Sequence, residues 1–357
     1  MRTLISTLVM SLLIGVSQAQ ALQFSGPFAQ PLHPEFTRWY RSYFAEFKRA
    51  YIQADGSVID PENGGITHSE GQAYGMLIAL IADDPDTFER VWRFARIRLK
   101  RPDQLFSWKY VPGHSVVDVN NASDADVLIA STLALAADRW KRPDYLQQAA
   151  ATADAIGRHL LEGHLGRVLL KPAIHGFGAA DLPDGPVINL SYYHFSALRN
   201  VAELAPGYPF AQMMETGMLL KLRAMELGTT ADWVSVADPV NPRPAATLPS
   251  GFGYDAIRIA WNLLVAESEW QQIGLAMLDA KVAGAFEATD QHGNVLHAMS
   301  DPGYDLLAQA LECAVHGDTV PMRLLDFDPT TYYASALHLM TIALLYSQRP
   351  ECIPTSS

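Results

Sequence analysis

Residues 69–100, SEGQAYGMLIALIADDPDTFERVWRFARIRLK, hold two helical signals of opposite character separated by a minimal break. The first, 72–82 (QAYGMLIALIA), is apolar or small on nearly every side, whereas the second, 87–100 (TFERVWRFARIRLK), carries a charged face. A helix that is apolar all round is buried, and an amphipathic one meets water. Asp83-Asp84-Pro85 permits only a tight reversal, so the second helix folds back antiparallel on the first. The stretch therefore reads as a helical hairpin with one buried and one exposed member.

The same unit recurs along the chain. Apolar spacing and breakers predict about twelve helices, near 33–53, 69–82, 86–100, 124–140, 143–161, 191–205, 208–227, 254–266, 269–287, 302–313, 318–327 and 331–347. Long connections (54–68, 101–123, 162–190, 228–253 and 288–301) alternate with minimal ones at Lys141-Arg142, Pro206-Gly207 and 267–268. Helices after long connections are apolar or small on nearly every side, as in 72–82 and 125–137 (ADVLIASTLALAA), and 334–345 (ASALHLMTIALL) has the same character. Those after short ones are amphipathic, as in 143–161. Six such hairpins make an all-α fold, an (α/α)6 barrel of six parallel inner helices within six outer ones. A helical solenoid is the competing architecture, but its repeats would be more uniform in length. Strand signals are sparse; 165–174 (LGRVLLKPAI) alone suggests a short hairpin arm.

The first residues read as an export signal. Arg2 precedes an apolar run from Leu4 to Val16, and small residues follow at Ser17, Ala19 and Ala21, so residues 1–21 are expected to be cleaved on export and 22–357 to form one domain. The run is too short to span a membrane. Formal net charge is −12, and −13 once Arg2 is removed with the signal. That balance argues against nucleic acid, whose binding rests on basic patches, and favours a neutral polymer or a cation. Cys313 and Cys352, the only cysteines, could bridge the C-terminal tail to the body in an oxidising compartment, or remain as two buried thiols.

A parallel inner ring gathers the N-termini of its helices, and every long connection, at one mouth. Glu70, Asp124, Asp126, Tyr192, Tyr193 and Asp255 stand at those helix starts. Thr67-x-x-Glu70 and Ser123-x-x-Asp126 also match capping boxes, and capping explains either one alone. Acidic residues recurring at successive inner helices beside aromatic residues point instead to glycosidic cleavage, which needs one carboxyl to protonate the leaving oxygen and another to activate water or attack the sugar. A carboxylate at a helix N-terminus is held ionised and suits a base; an acid needs desolvation or a neighbouring negative charge, which the Asp124 and Asp126 pair could give Glu70. Trp108, Tyr110, Trp233, Phe252 and Tyr254 are candidate sugar platforms, although aromatic residues also fill cores. His68, His175 and His194 are too scattered for a zinc site, and no nucleophile elbow, phosphate loop or metalloprotease motif is visible.

At Ser69-Glu70-Gly71-Gln72-Ala73-Tyr74-Gly75-Met76, at Ala122-Ser123-Asp124-Ala125-Asp126 running on to Trp140, and at Tyr254-Asp255-Ala256-Ile257-Arg258, the sequence resembles glycoside hydrolase family 8. It is most similar there to the periplasmic endoglucanases that accompany bacterial cellulose synthase. The resemblance implies an (α/α)6 barrel and an endo-β-1,4-glucanase that inverts the anomeric centre, with Glu70 as proton donor and Asp255 as the base. It also implies that Asp124 holds the sugar at the cleavage point, supported by Asp126, Tyr192 and Arg258. Trp108 and Tyr254 complete the expected substrate-binding set. The partners implied are a β-1,4-glucan and a cellulose synthase complex, and the chemistry requires no metal or organic cofactor. Thr132 and Ala134 depart from the family signature far along their helix, where packing is at stake. Alternatives are a chitosanase or xylanase on the same fold, a polysaccharide lyase with a Tyr or His base, and a non-catalytic glycan-binding component of an export complex.

Overall fold

A computed structural model describes residues 22–266 and 270–354; the expected signal at 1–21 and the short connection at 267–268 lie outside the described residues. Eleven α-helices are described: α1 Pro34–Tyr51, α2 Ser69–Ile81, α3 Pro85–Phe94, α4 Ser123–Trp140, α5 Pro143–His159, α6 Phe195–Leu204, α7 Phe210–Glu226, α8 Arg258–Leu264, α9 Gln271–Val282, α10 Pro302–His316 and α11 Tyr332–Gln348. Helices α2, α4, α6, α8, α10 and α11 form the inner ring of an (α/α)6 barrel, and α1, α3, α5, α7 and α9 pack outside it.

Burial follows the polarity of each sequence segment. Every residue of α2 except Glu70 is buried, as is all of Ser123 to Ala137 in α4. By contrast α1 buries a single stripe of Phe36, Tyr40, Phe44, Phe47 and Tyr51, with the three- and four-residue spacing of one helix face. The reversal between α2 and α3 is fixed by Asp84, whose carboxylate accepts the Thr87 N–H at 2.9 Å, with Pro85 in the first turn where its missing N–H costs nothing. A hydrophobic core runs from Phe28 to Cys352. No helix among the described residues is long and apolar enough to cross a membrane.

The helix expected at 318–327 is not formed. Only a 3-10 turn, Met322–Leu324, occupies that outer position, between Pro321 and Pro329. A proline drives the residue before it to extended backbone, which leaves too few residues for an α-helix. Three other expected helices are shorter than read. The 191–205 segment divides into a 3-10 turn, Leu190–Tyr192, and α6; 254–266 begins with tight turns at 254–257 before α8; and 269–287 ends at Ala283 and Gly284, both in left-handed conformation. Residues Ala95–Leu99 continue α3 as a π-helix.

Among the described residues, ten short strands lie in the connections. Strands β1 Thr67–His68, β2 Ser107–Val111 and β3 Ser115–Asn121 form one sheet; β4 Leu161–His164 and β5 Arg167–Leu170 a hairpin; β6 Val187–Ile188, β7 Val234–Ser235 and β8 Arg243–Pro244 a second sheet; β9 Phe286–Thr289 and β10 Val295–Met299 a second hairpin. The arm expected at 165–174 is the β4–β5 hairpin, starting earlier: Leu165 and Gly166, both at positive φ, make its two-residue turn.

Cys313 on α10 and Cys352 are joined by a disulfide with 5.8 Å between their Cα atoms, closing a 39-residue span that contains α11. By the loop-closure argument, replacing both cysteines by serine should cost about 2–4 kcal/mol. A urea unfolding midpoint unchanged in the double variant would show that the bridge adds nothing to stability.

Candidate active site

The mouth of the barrel holds a cleft of about 890 Å³. Each inner helix start contributes to its lining: Glu70 at α2, Asp124 at α4, Tyr192 before α6, Asp255 before α8, Tyr304 at α10 and Tyr333 at α11. Trp108 on β2 and Trp233 beside β7 wall it from two different connections. Trp233 stacks on Phe177 with 5.1 Å between ring centroids, and the Tyr192 ring meets Trp233 at 6.1 Å. Tyr254 stands half exposed at the rim, its ring 6.2 Å from Tyr333, whose hydroxyl donates to the Tyr254 carbonyl at 2.7 Å.

Arg258, 2% exposed, gathers the acidic residues from beneath. Its Nη1 donates to Glu70 Oε1 and to Asp124 Oδ2, the latter at 2.6 Å, and its Nη2 donates to Asp255 Oδ1. The guanidinium carbon also lies 5.3 Å from the Tyr192 ring centroid. Three carboxylates thus share one cation, and with all three ionised the group would carry a charge of −2. Burial pushes the Asp124 carboxyl up to about 6, with Arg258 opposing and Glu70 adding to the rise. Asp255 is raised for the same leading reason, with Arg258 again opposing. Asp124 and Asp255 therefore each hold a proton to higher pH than a free aspartate does.

Glu70 owes its position to the start of α2, where His68 Nδ1 accepts the Gly71 N–H at 3.0 Å and so caps the helix. An accepting Nδ1 leaves the proton on Nε2, 3.6 Å from Asp60 Oδ2. Tyr74, one turn further into α2, is buried against Glu70; burial first and the Glu70 charge second raise its hydroxyl well above the usual tyrosine value.

Of the expected substrate-binding residues, Asp124, Trp108, Tyr192 and Tyr254 line the cleft, and Arg258 lies beneath it. Asp126 does not belong with them. It is fully buried, its Oδ1 accepting the Phe106 N–H at 2.8 Å and its Oδ2 the Asn121 amide at 2.7 Å. Helical geometry explains the difference, since residues two apart point to different faces. Asp126 therefore ties β3 and the approach to β2 against α4, and burial pushes its carboxyl up to about 8. Two candidate platforms also lie elsewhere: Phe252 is buried and stacks on Phe286, and Tyr110 packs edge-on against Phe94. His194 is buried against Trp261. Phe177, Tyr304, Tyr333 and Asp301 line the cleft without having been singled out; the last three open α10 and α11 and obey the rule that picked the others.

Carboxylates gathered at the bottom of a trough walled by aromatic rings suit the cutting of glycosidic bonds, and this chain is a glycoside hydrolase. It belongs to glycosyl hydrolases family 8, whose profile matches residues 36–289. It is 33% identical to a probable endoglucanase of Novacetimonas hansenii over 96% of this chain and 99% of that protein. An endoglucanase of Cellulomonas uda is 30% identical over 62% of each chain. Among solved structures, an endo-β-1,4-glucanase from Acetobacter xylinum superposes with a TM-score of 0.74 at 31% identity, covering 86% of this chain and 98% of that one.

Because Asp126 satisfies two buried donors, Asp126→Ala should lower stability by about 1–3 kcal/mol through the groups it leaves unpaired. Chemical denaturation with circular dichroism measures this; an unchanged midpoint would show that Asp126 does not hold the β2–β3 connection.

Proposed function

We propose that this chain is an endo-β-1,4-glucanase that hydrolyses internal bonds of cellulose with inversion. The observation that carries the reading is the convergence of Glu70, Asp124 and Asp255, from three separate inner helices, on one buried arginine beneath a cleft with aromatic walls. In this reading Glu70 protonates the leaving glycosidic oxygen. Asp255, on another helix start, accepts the proton of a water that attacks the anomeric carbon from the opposite face. Asp124 binds the hydroxyls of the sugar at the cleavage point, and Trp108, Trp233, Tyr192 and Tyr254 stack on sugar rings along the chain. The printed activity of the Acetobacter xylinum enzyme and the endoglucanase names of the sequence relatives support the substrate.

Export to the periplasm is the reading supported by the charged, apolar and small residues that succeed one another in 1–21. The Cys313–Cys352 bridge, a feature of oxidising compartments, agrees with it. A place beside a cellulose synthase complex, trimming the polymer during synthesis and export, extends the same reading and rests on the resemblance of the motifs.

General acid and base groups each supply about 10²–10⁴-fold. Glu70→Gln and Asp255→Asn should therefore each cut the loss of viscosity and the release of reducing ends from carboxymethyl-cellulose by at least about 100-fold while remaining folded. Proton NMR of the first product should show the α anomer. Full activity in either variant would remove that residue from its role, and a β anomer would rule out inversion. Polymer binding without hydrolysis by the unaltered protein, on cellulose, chitosan and xylan alike, would favour the glycan-binding component.

The electrostatics fix the direction of the pH dependence. Asp255 works ionised and its carboxyl is raised by burial, so kcat/KM should grow as pH rises through a value above the ordinary aspartate pKa of about 3.9. Arg258 pulls Asp255 down, so Arg258→Gln should move that acidic limb to higher pH as well as lowering kcat. A limb that stays in place would show that Arg258 does not set the ionisation of the base.

A further inference from the structure

Asp232 lies in the 228–253 connection, beside the platform Trp233 and outside the lining of the cleft. Its Oδ1 accepts two backbone N–H groups, from Gly253 at 3.0 Å and from Ala256 at 2.7 Å. Those two residues bracket Tyr254 and Asp255. The Asp232 N–H in turn donates to the Gly251 carbonyl at 2.8 Å, which ties the two ends of the connection together.

We infer that Asp232 is a positioning residue for the base, its carboxyl oxygen clamping the 253–256 turn so that Asp255 is held against Arg258 at the cleft floor. The inference rests on the reading of Asp255 as the base. The turn needs such a clamp because it precedes the regular part of α8. Its N–H groups have no preceding helical turn to accept them, and α8 itself is only seven residues long. On the cleft side the Asp255 carboxylate accepts from Arg258, with the like charge of Glu70 close by, and neither group holds its backbone.

Gly253 supplies a second, independent indication. A Cβ at this position would lie 2.5 Å from Asp232 Oδ2 and 3.2 Å from its Cγ. The backbone comes this close only because residue 253 has no side chain. Burial, with the Asp255 charge adding to it, pushes the Asp232 carboxyl up to about 7. Over the acidic range it is therefore a neutral acid, and asparagine is its isostere: the amide oxygen can accept the same two N–H groups.

The test compares purified full-length Asp232→Ala, Asp232→Asn, Gly253→Ala and the Asp232→Ala/Gly253→Ala double variant on soluble carboxymethyl-cellulose near pH 5.5, with Asp255→Asn as reference and circular dichroism as the folding control. Asp232→Ala should lower kcat about 10- to 100-fold with KM within about twofold, the size expected when a reacting group is displaced by roughly 1 Å. Asp232→Asn should stay within about threefold of the unaltered enzyme. Gly253→Ala should lower kcat as Asp232→Ala does, while the double variant falls no further, because truncating Asp232 removes the atoms the new methyl would strike. If Asp232→Ala fails to fold, Asp232→Asn and Gly253→Ala carry the same comparison. A kcat unaffected by the loss of the carboxyl, a loss confined to KM, an asparagine variant as poor as the alanine one, or an additive double variant would each overturn the clamp. An active Asp255→Asn would instead overturn the assignment of the base, and is read separately.

Discussion

Arg258 is a buried cation whose nearest polar neighbours are Glu70, Asp124 and Asp255. A guanidinium withdrawn from water is tolerated when charged acceptors meet its Nη donors, as they do here, and clustered carboxylates are tolerated only with a counter-charge among them. Each requirement answers the other, and together they dictate that three helices separated by long stretches of sequence begin at one point. Helix N-termini add their own partial positive charge, which eases the surplus of negative charge left over when one arginine serves three acids.

That convergence in turn constrains the packing. Inner helices whose starts meet must lie close together along their length, which explains the small and apolar residues of α2 and α4 and the absence of polar faces on them. The walls of the cleft come from elsewhere, from short strands in the connections. The β2–β3 pair is held to inner helix α4 by Asp126, which accepts from Phe106 and Asn121. The tryptophans that wall the cleft and the carboxylates on its floor are thus carried by different parts of the chain and are joined by buried hydrogen bonds.

The sequence was most readable where one physical rule governs many residues. Uniform apolarity in 72–82 and 125–137 marked inner helices, and the alternation of long and short connections marked the ring and its mouth. The mouth in turn pointed to Glu70, Asp124 and Asp255. Reading was poorer where tertiary contacts overrule local pattern. At 318–327 two prolines leave a single turn where the apolar spacing suggested a helix. Asp126 shares with Asp124 a place in the first turn of α4, and only the direction of its side chain separates an anchoring role from a place in the cleft. Asp232 left no trace at all, because its partners are backbone groups 21 and 24 residues away.

A closed ring made from a linear chain has one seam, and here it falls between α11 and the first two helices. Tyr40 reaches across to the Leu339 carbonyl, Tyr51 to that of Thr330, and Glu62 accepts the N–H of Tyr332. All of these contacts are non-covalent. The Cys313–Cys352 bridge encloses α11 in a covalent loop anchored on α10, so this last stave cannot peel away progressively from the chain's end. Fraying that would open the seam must lift a whole hairpin at once, and an exopeptidase working inward would meet the bridge before it reached a residue of the cleft.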